Sequence, residues 1–264
     1  MNNYNIQWPI LMLVACVGSL LIALPLKLTP IDQAMATQAS SPVLSKAQLR
    51  SQAESITVKV LSEEVLGSGF IVKVQNSVYT VLTNAHVLRS GHPPYQIQTP
   101  DGQVYKAQLF KAVSFQGKDL ALLQFRSPKN TYRVASLGKL PKLEEEVFAA
   151  GFPFAVSKNT PGGFVFRTGK IARILDKALA GGYQIGYTNL VEKGMSGGPV
   201  LNYQGEVVAI NGMHAEPLWG SPYVFIDGSL PEPTLKEEMS QYSWGIPIKI
   251  FDQIGLPALK KIQR

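Results

Sequence analysis

Gly194-Met195-Ser196-Gly197-Gly198-Pro199-Val200-Leu201 sets a serine in a glycine-rich turn that runs straight into an apolar, strand-like segment. Small residues let such a turn close tightly, expose the hydroxyl and aim backbone N–H groups at one place, which is what a nucleophilic serine needs. The stretch also satisfies Gly-x-Ser-x-Gly, the elbow of α/β-hydrolases. That elbow leads from strand into helix and is followed by an acid and then a histidine. Here Pro199-Val200-Leu201 begins a strand, and His214 precedes Asp227 and Asp252, so an esterase or lipase of that kind is excluded. An ordinary glycine turn is the competing reading of these residues taken alone.

Outward from the turn the pattern is β. Ile56–Val60, Gly69–Val74, Val78–Leu82, Val104–Phe110 and Leu120–Phe125 read as strands between turn residues, and so do Val147–Gly151, Phe164–Leu175, Tyr183–Thr188, Pro199–Leu201 and Glu206–Asn211. Short strands at this spacing fit barrels or sandwiches. The polar stretch Ser127–Leu143 bridges the two sets and places a boundary near Pro141. The one helix expected runs from Pro247 to about Ile262, interrupted near Gly255 and Pro257. Residues 37–54, rich in Ser, Gln and Ala, read as a linker or short helix.

The chain has three histidines, so the candidates for a general base are few. His86, in Thr83-Asn84-Ala85-His86-Val87, follows a β-run at the place where a base at a barrel mouth belongs; the competing reading is a half-buried loop histidine. Asp119 leads the apolar run Leu120-Ala121-Leu122-Leu123, and a carboxylate entering a buried strand either caps a turn or orients a histidine Nδ1–H. No His-x-x-x-His spacing supports a metal site, and no Gly-rich loop before a helix supports a nucleotide, so no cofactor is expected.

Cys16 is the only cysteine and lies in the apolar N-terminal run, which excludes a thiol nucleophile or disulfides in the folded domain. The net charge of +7 is scattered, with no basic run beyond Lys260, Lys261 and Arg264, so it argues for solubility and not for nucleic acid as a partner. Trp8–Leu26 is an uncharged apolar run of 19 residues, and Ala34-Met35-Ala36 has the small-x-small form of a signal-peptidase site. Residues 1–36 are therefore an export signal, releasing a chain from about Thr37, or an uncleaved anchor of membrane-spanning length. Leu13-Val14-Ala15-Cys16 also has the form of a lipoprotein box, but the run stays apolar beyond Cys16. The location expected is periplasmic or extracellular, with contact to a membrane only through an uncleaved N-terminus.

Gly67-Ser68-Gly69-Phe70, Thr83-Asn84-Ala85-His86-Val87, Asp119-Leu120-Ala121 and the Ser196 turn, in this order, resemble the trypsin-like serine peptidases and most of all the bacterial HtrA/Deg branch. The resemblance spans roughly Val58 to Ile248. It implies an all-β fold of two perpendicular six-stranded antiparallel barrels over residues 55–140 and 141–247, the active site between them, and a C-terminal helix at 248–262. It implies a serine endopeptidase acting on protein or peptide substrates through His86, Asp119 and Ser196, with the Gly194 and Ser196 N–H groups as oxyanion hole.

Several positions depart from the family pattern. Met195 stands where trypsins have the aspartate that pairs with a freed N-terminus, so that activation switch is not expected. Only about a helix follows Ile248, so a PDZ domain is not expected. Leu190 stands where trypsin has its pocket aspartate, and Asn211 where glutamyl endopeptidases have a histidine, which points to a small or medium apolar P1 residue. Gly212, Met213 and His214 are expected along the edge that pairs with the substrate backbone. Ala215–Tyr242 reads as a long loop beside the pocket, either a lid or a neutral insertion. A secreted binding protein that keeps the fold without the activity is the alternative function.

Overall fold

The computed structural model describes residues 44–62, 65–89, 91–154, 163–214 and 223–261. The apolar N-terminal run with Cys16 lies outside them. Among the described residues no helix is long and apolar enough to cross a membrane.

Ser45 and Gln48 cap one another's backbone N–H groups and start helix α1, Lys46–Ile56. Leu49, Ala53 and Ile56 fall on one face and are buried. The first barrel follows: β1 Thr57–Leu61, β2 Val65–Gln75, β3 Val78–Thr83, β4 Tyr95–Gln98, β5 Val104–Leu109 and β6 Ala121–Arg126, closed in the order β1-β2-β3-β6-β5-β4. The short helix α2, Ala85–Arg89, leaves the end of β3. Between β2 and β3 the turn residues Asn76 and Ser77 have φ of 48° and 63°, the two-residue geometry that matches strand twist in a hairpin.

The second barrel contains β7 Glu146–Gly151, β8 Val165–Ile174, β9 Ile185–Tyr187, β10 Pro199–Leu201, β11 Val207–Met213 and β12 Ser243–Pro247, closed in the order β10-β11-β12-β9-β8-β7. The fold is thus two six-stranded antiparallel barrels with a C-terminal helix. Closure removes the free edges that an open sheet would expose.

Neighbouring residues along one strand feed different cores, because side chains alternate across a sheet. Ile71, Val81 and Leu123 fill barrel 1, while Phe70, Leu82 and Leu122 point out of it. Ala149 and Ala209 fill barrel 2, while Ala150 and Ile210 join the outward residues of barrel 1, together with Ala53 of α1 and Phe251, in a third core between the barrels. Strands buried on both faces read as continuous apolar runs.

The structure adds to and corrects the reading of the elements. The short strands β4 and β12 and the helix α3, Pro233–Met239, go beyond the runs and the C-terminal helix read from sequence, while α1 decides between the linker and the short helix offered there in favour of the helix. Part of the Ala215–Tyr242 segment is therefore not loop. Its residues 223–242 are pinned by the Tyr223 hydroxyl and the Trp244 indole, which donate to the Met239 carbonyl at 3.1 and 3.0 Å, and residues 215–222 lie outside the described residues. At the C-terminus a π turn, Phe251–Gly255, precedes α4, Leu256–Lys261. There the Leu256 N–H reaches back to the Phe251 carbonyl, and Pro257, with no N–H of its own, is accommodated.

Candidate active site

Barrel 1 brings a base and an acid together through strand register. β3 and β6 are antiparallel with Thr83 opposite Ala121, so the end of β3 and the start of β6 share one rim. His86 sits in α2 just beyond β3, and Asp119 just before β6. The Asn84 side-chain amide donates to the Asp119 carbonyl at 2.9 Å, fixing the approach of the two segments. The Asp119 carboxylate then accepts twice from His86: the main-chain N–H at Oδ1, 2.8 Å, and the ring Nδ1 at Oδ2, 2.5 Å. An ionised carboxylate only accepts, so the ring proton lies on Nδ1 and leaves Nε2 as the basic nitrogen.

Burial opposes the Asp119 charge, but the hydrogen bond and attraction of His86, with further donors at Tyr183 and the His86 backbone, outweigh it and hold the carboxyl below its ordinary pKa. The acid is also clamped from barrel 2. Its N–H donates to the Gly181 carbonyl at 2.8 Å, and the Tyr183 hydroxyl donates to Oδ2.

Barrel 2 supplies the serine turn, between β9 and β10. Gly194 and Gly197 have φ of +96° and +84°, and a Cβ on Gly197 would lie 2.2 Å from the Ser68 carbonyl oxygen, so both the conformation and the space require glycine. The turn is anchored at several points. The Ser196 carbonyl accepts the Ser68 N–H at 2.9 Å, the Gly194 carbonyl accepts the Ser68 hydroxyl at 2.8 Å, and the Lys193 carbonyl accepts the Phe154 N–H at 2.8 Å. A trans peptide is planar, so drawing the Lys193 carbonyl towards Phe154 turns the Gly194 N–H the opposite way. Met195, fully buried in the barrel 2 core, receives the Glu192 N–H on its sulfur at 3.4 Å. The Ser196 hydroxyl makes a long bond of 3.3 Å to the Gly212 carbonyl.

His86, Asp119, Gly194 and Ser196 all line one cleft of about 990 Å³, with Tyr183, Gly212, Met213 and His214. A hydroxyl, an imidazole and a carboxylate on one surface are the set needed to activate an alcohol for attack on a carbonyl. Arg89, Lys118 and Lys193 give the cleft a positive lining, and its carboxylate, Asp119, is already engaged by His86 and Tyr183.

Of the residues expected to contact substrate, Gly212, Met213 and His214 line the cleft, whereas Leu190 and Asn211 do not. Leu190 is 65% exposed. Asn211 is wholly buried, its Oδ1 taken by the Tyr187 hydroxyl at 2.7 Å and its Nδ2 by the Ala150 carbonyl at 3.2 Å. Ser68, Phe154 and Tyr183 were assigned no role in the sequence; for Tyr183 the available signal is the pair Gly181-Gly182 directly before it.

The sequence matches the family described as "Trypsin-like peptidase domain" over residues 67–210, more than half of the 264-residue chain. The chain belongs to the trypsin-like peptidases. The matched region of this trypsin-like domain contains His86, Asp119 and Ser196 and ends at the last residue before Asn211. Similar curated proteins include "Serine protease HTRA1" of Xenopus laevis, 32% identical over 157 residues, covering 55% of this chain and 30% of that protein. "Serine protease HTRA2, mitochondrial" of Drosophila erecta is 31% identical over 199 residues, covering 73% and 46%. The "Probable periplasmic serine endoprotease DegP-like" of Brucella suis biovar 1 (strain 1330) is 32% identical over 179 residues, covering 66% and 32%. The trypsin-like chain thus spans between about a third and a half of the length of these relatives.

Proposed function

We propose that this chain is a serine endopeptidase that hydrolyses peptide bonds through an acyl-enzyme. The Ser196 hydroxyl attacks the scissile carbonyl while His86 Nε2 takes its proton and then returns it to the leaving amine. Asp119 holds the imidazole in the required tautomer and stabilises its charged form. The Gly194 and Ser196 N–H groups receive the oxyanion. Water, deprotonated by His86, then releases the acyl group. Gly212, Met213 and His214 pair with the substrate main chain, as an added strand.

The observation that carries the reading is the His86–Asp119 pair of barrel 1 on the same cleft as the Ser196 turn of barrel 2, in a trypsin-like domain. The Lys193–Phe154 bond supports a preformed oxyanion site. Export is part of the proposal. It is supported by the N-terminal signal pattern and by a relative whose name includes "periplasmic". Incubation with an unfolded protein substrate tests the activity: the native chain releases peptides, and Ser196→Ala and His86→Ala do not. Undiminished release by Ser196→Ala overturns it.

A further inference from the structure

Asp119 is held from a third side by a group that belongs to the other barrel. Tyr183 lies between the tight turn Ala180–Gly182 and β9, and the residue is 5% exposed. Its hydroxyl donates to Asp119 Oδ2, the oxygen that also takes His86 Nδ1. Oδ1 takes the His86 main-chain N–H and faces the Arg89 guanidinium at 3.7 Å. Room for the ring comes from Gly212, where a Cβ would lie 2.1 Å from a Tyr183 ring carbon.

We infer that Tyr183 is a positioning residue for His86, acting through Asp119, and that Gly212 is glycine to admit its ring. The inference rests on the peptidase reading of His86 and Ser196. Both His86 donors move with His86, whereas the Tyr183 hydroxyl is a donor held independently by the other barrel, so it fixes the carboxylate and with it the direction of the Nδ1–H bond and the plane of the imidazole. Asp119 and His86 stand on barrel 1 and Tyr183 on barrel 2, so the same bond ties the base to the barrel that carries Ser196. Burial first, and then the Asp119 charge and hydrogen bond, push the Tyr183 pKa well up, which keeps the phenol a neutral donor. A donor on Oδ2 also draws electron density from the carboxylate and so weakens its grip on the protonated imidazole.

Tyr183→Phe keeps the ring and removes only the donor. The groups facing the carboxylate are then His86 and Arg89 from α2 and an inert ring from barrel 2. Loss of one charge-assisted bond predicts a fall in kcat of roughly 10- to 100-fold with little change in KM. The acid limb of kcat/KM moves to higher pH, because the carboxylate holds the imidazolium proton more firmly. Replacement of Tyr183 by 3-fluorotyrosine, a stronger donor of the same shape, moves that limb to lower pH, a change that a merely structural tyrosine does not produce. The His86 Nδ1–H proton resonance, read by NMR without turnover, shifts in both variants.

If the native enzyme turns over and both variants match it in kcat and pH limb, the inference is overturned while the peptidase reading stands. If no Ser196-dependent turnover is found even in the native chain, the peptidase reading fails. The proton resonance then decides, and an unmoved resonance in both variants overturns the role of Tyr183.

Discussion

The Ser68 hydroxyl donates to the Gly194 carbonyl at 2.8 Å and accepts the Phe152 N–H at 2.9 Å, so one side chain of barrel 1 bridges two loops of barrel 2. Ser68 is fully buried, so both bonds are made away from the protein surface. Ser68→Ala leaves the Phe152 N–H and the Gly194 carbonyl without this buried partner, at a cost of about 1–3 kcal/mol. For a domain of this size that lowers Tm by about 2–4 °C per kcal/mol. With the peptide at Gly194 released, kcat falls more than KM rises, and thermal denaturation with steady-state kinetics reads both.

Met195 anchors the same turn by packing, with no ion pair. It lies with Val147, Ala149, Val191 and Val208 in the barrel 2 core. Met195→Ala leaves a cavity there and destabilises the chain by about 2–5 kcal/mol. Met195→Asp is worse, because it puts a carboxylate in a fully buried position packed by apolar side chains. Urea unfolding midpoints rank the three proteins in that order.

Asn211 is wholly buried and bonded inside the barrel, away from the cleft lining, which predicts a structural role for it. Tyr187→Phe removes the donor to the buried Asn211 Oδ1 and costs about 1–3 kcal/mol. The ranking of P1 residues in a peptide library stays as in the native enzyme. Substitutions at Met213 or His214, which line the cleft, change that ranking.

The cleft's cations predict a charge preference. Arg89, Lys118 and Lys193 line it, and Glu192 beside Lys193 is turned to Arg167 at 2.6 Å. Peptides with acidic residues flanking the scissile bond bind with lower KM than matched basic ones at low salt. The gap narrows towards about 0.15 M salt, where the screening length is about 8 Å. Lys118→Glu combined with Lys193→Glu reverses the order; KM measured across a salt series decides the matter.

How far the sequence could be read follows from how local each cause is. The serine turn is legible because the need for positive φ at Gly194 and Gly197 is written in the glycines themselves. His86 and Asp119 are legible because each abuts an apolar run, although what joins them is the β3–β6 register. Tyr183 looks like any aromatic in a β-run, and what aims it at Asp119 is the missing side chain of Gly212, far along the chain. Asn211 looks like a pocket residue until the Tyr187 hydroxyl, from another strand, is seen to claim it. What decides between linker and short helix for α1 is in Ser45 and Gln48, a capping box within the polar stretch.

In the proposed reaction Ser196 is the nucleophile, activated by His86 and Asp119. A fluorophosphonate probe reacts with such a serine and not with an ordinary hydroxyl. The folded native chain should take up one label, located by peptide mass spectrometry on Ser196, with none on Ser196→Ala and much slower labelling of His86→Ala. A folded native chain that takes no label, or a Ser196→Ala variant labelled as fast as the native chain, contradicts the account.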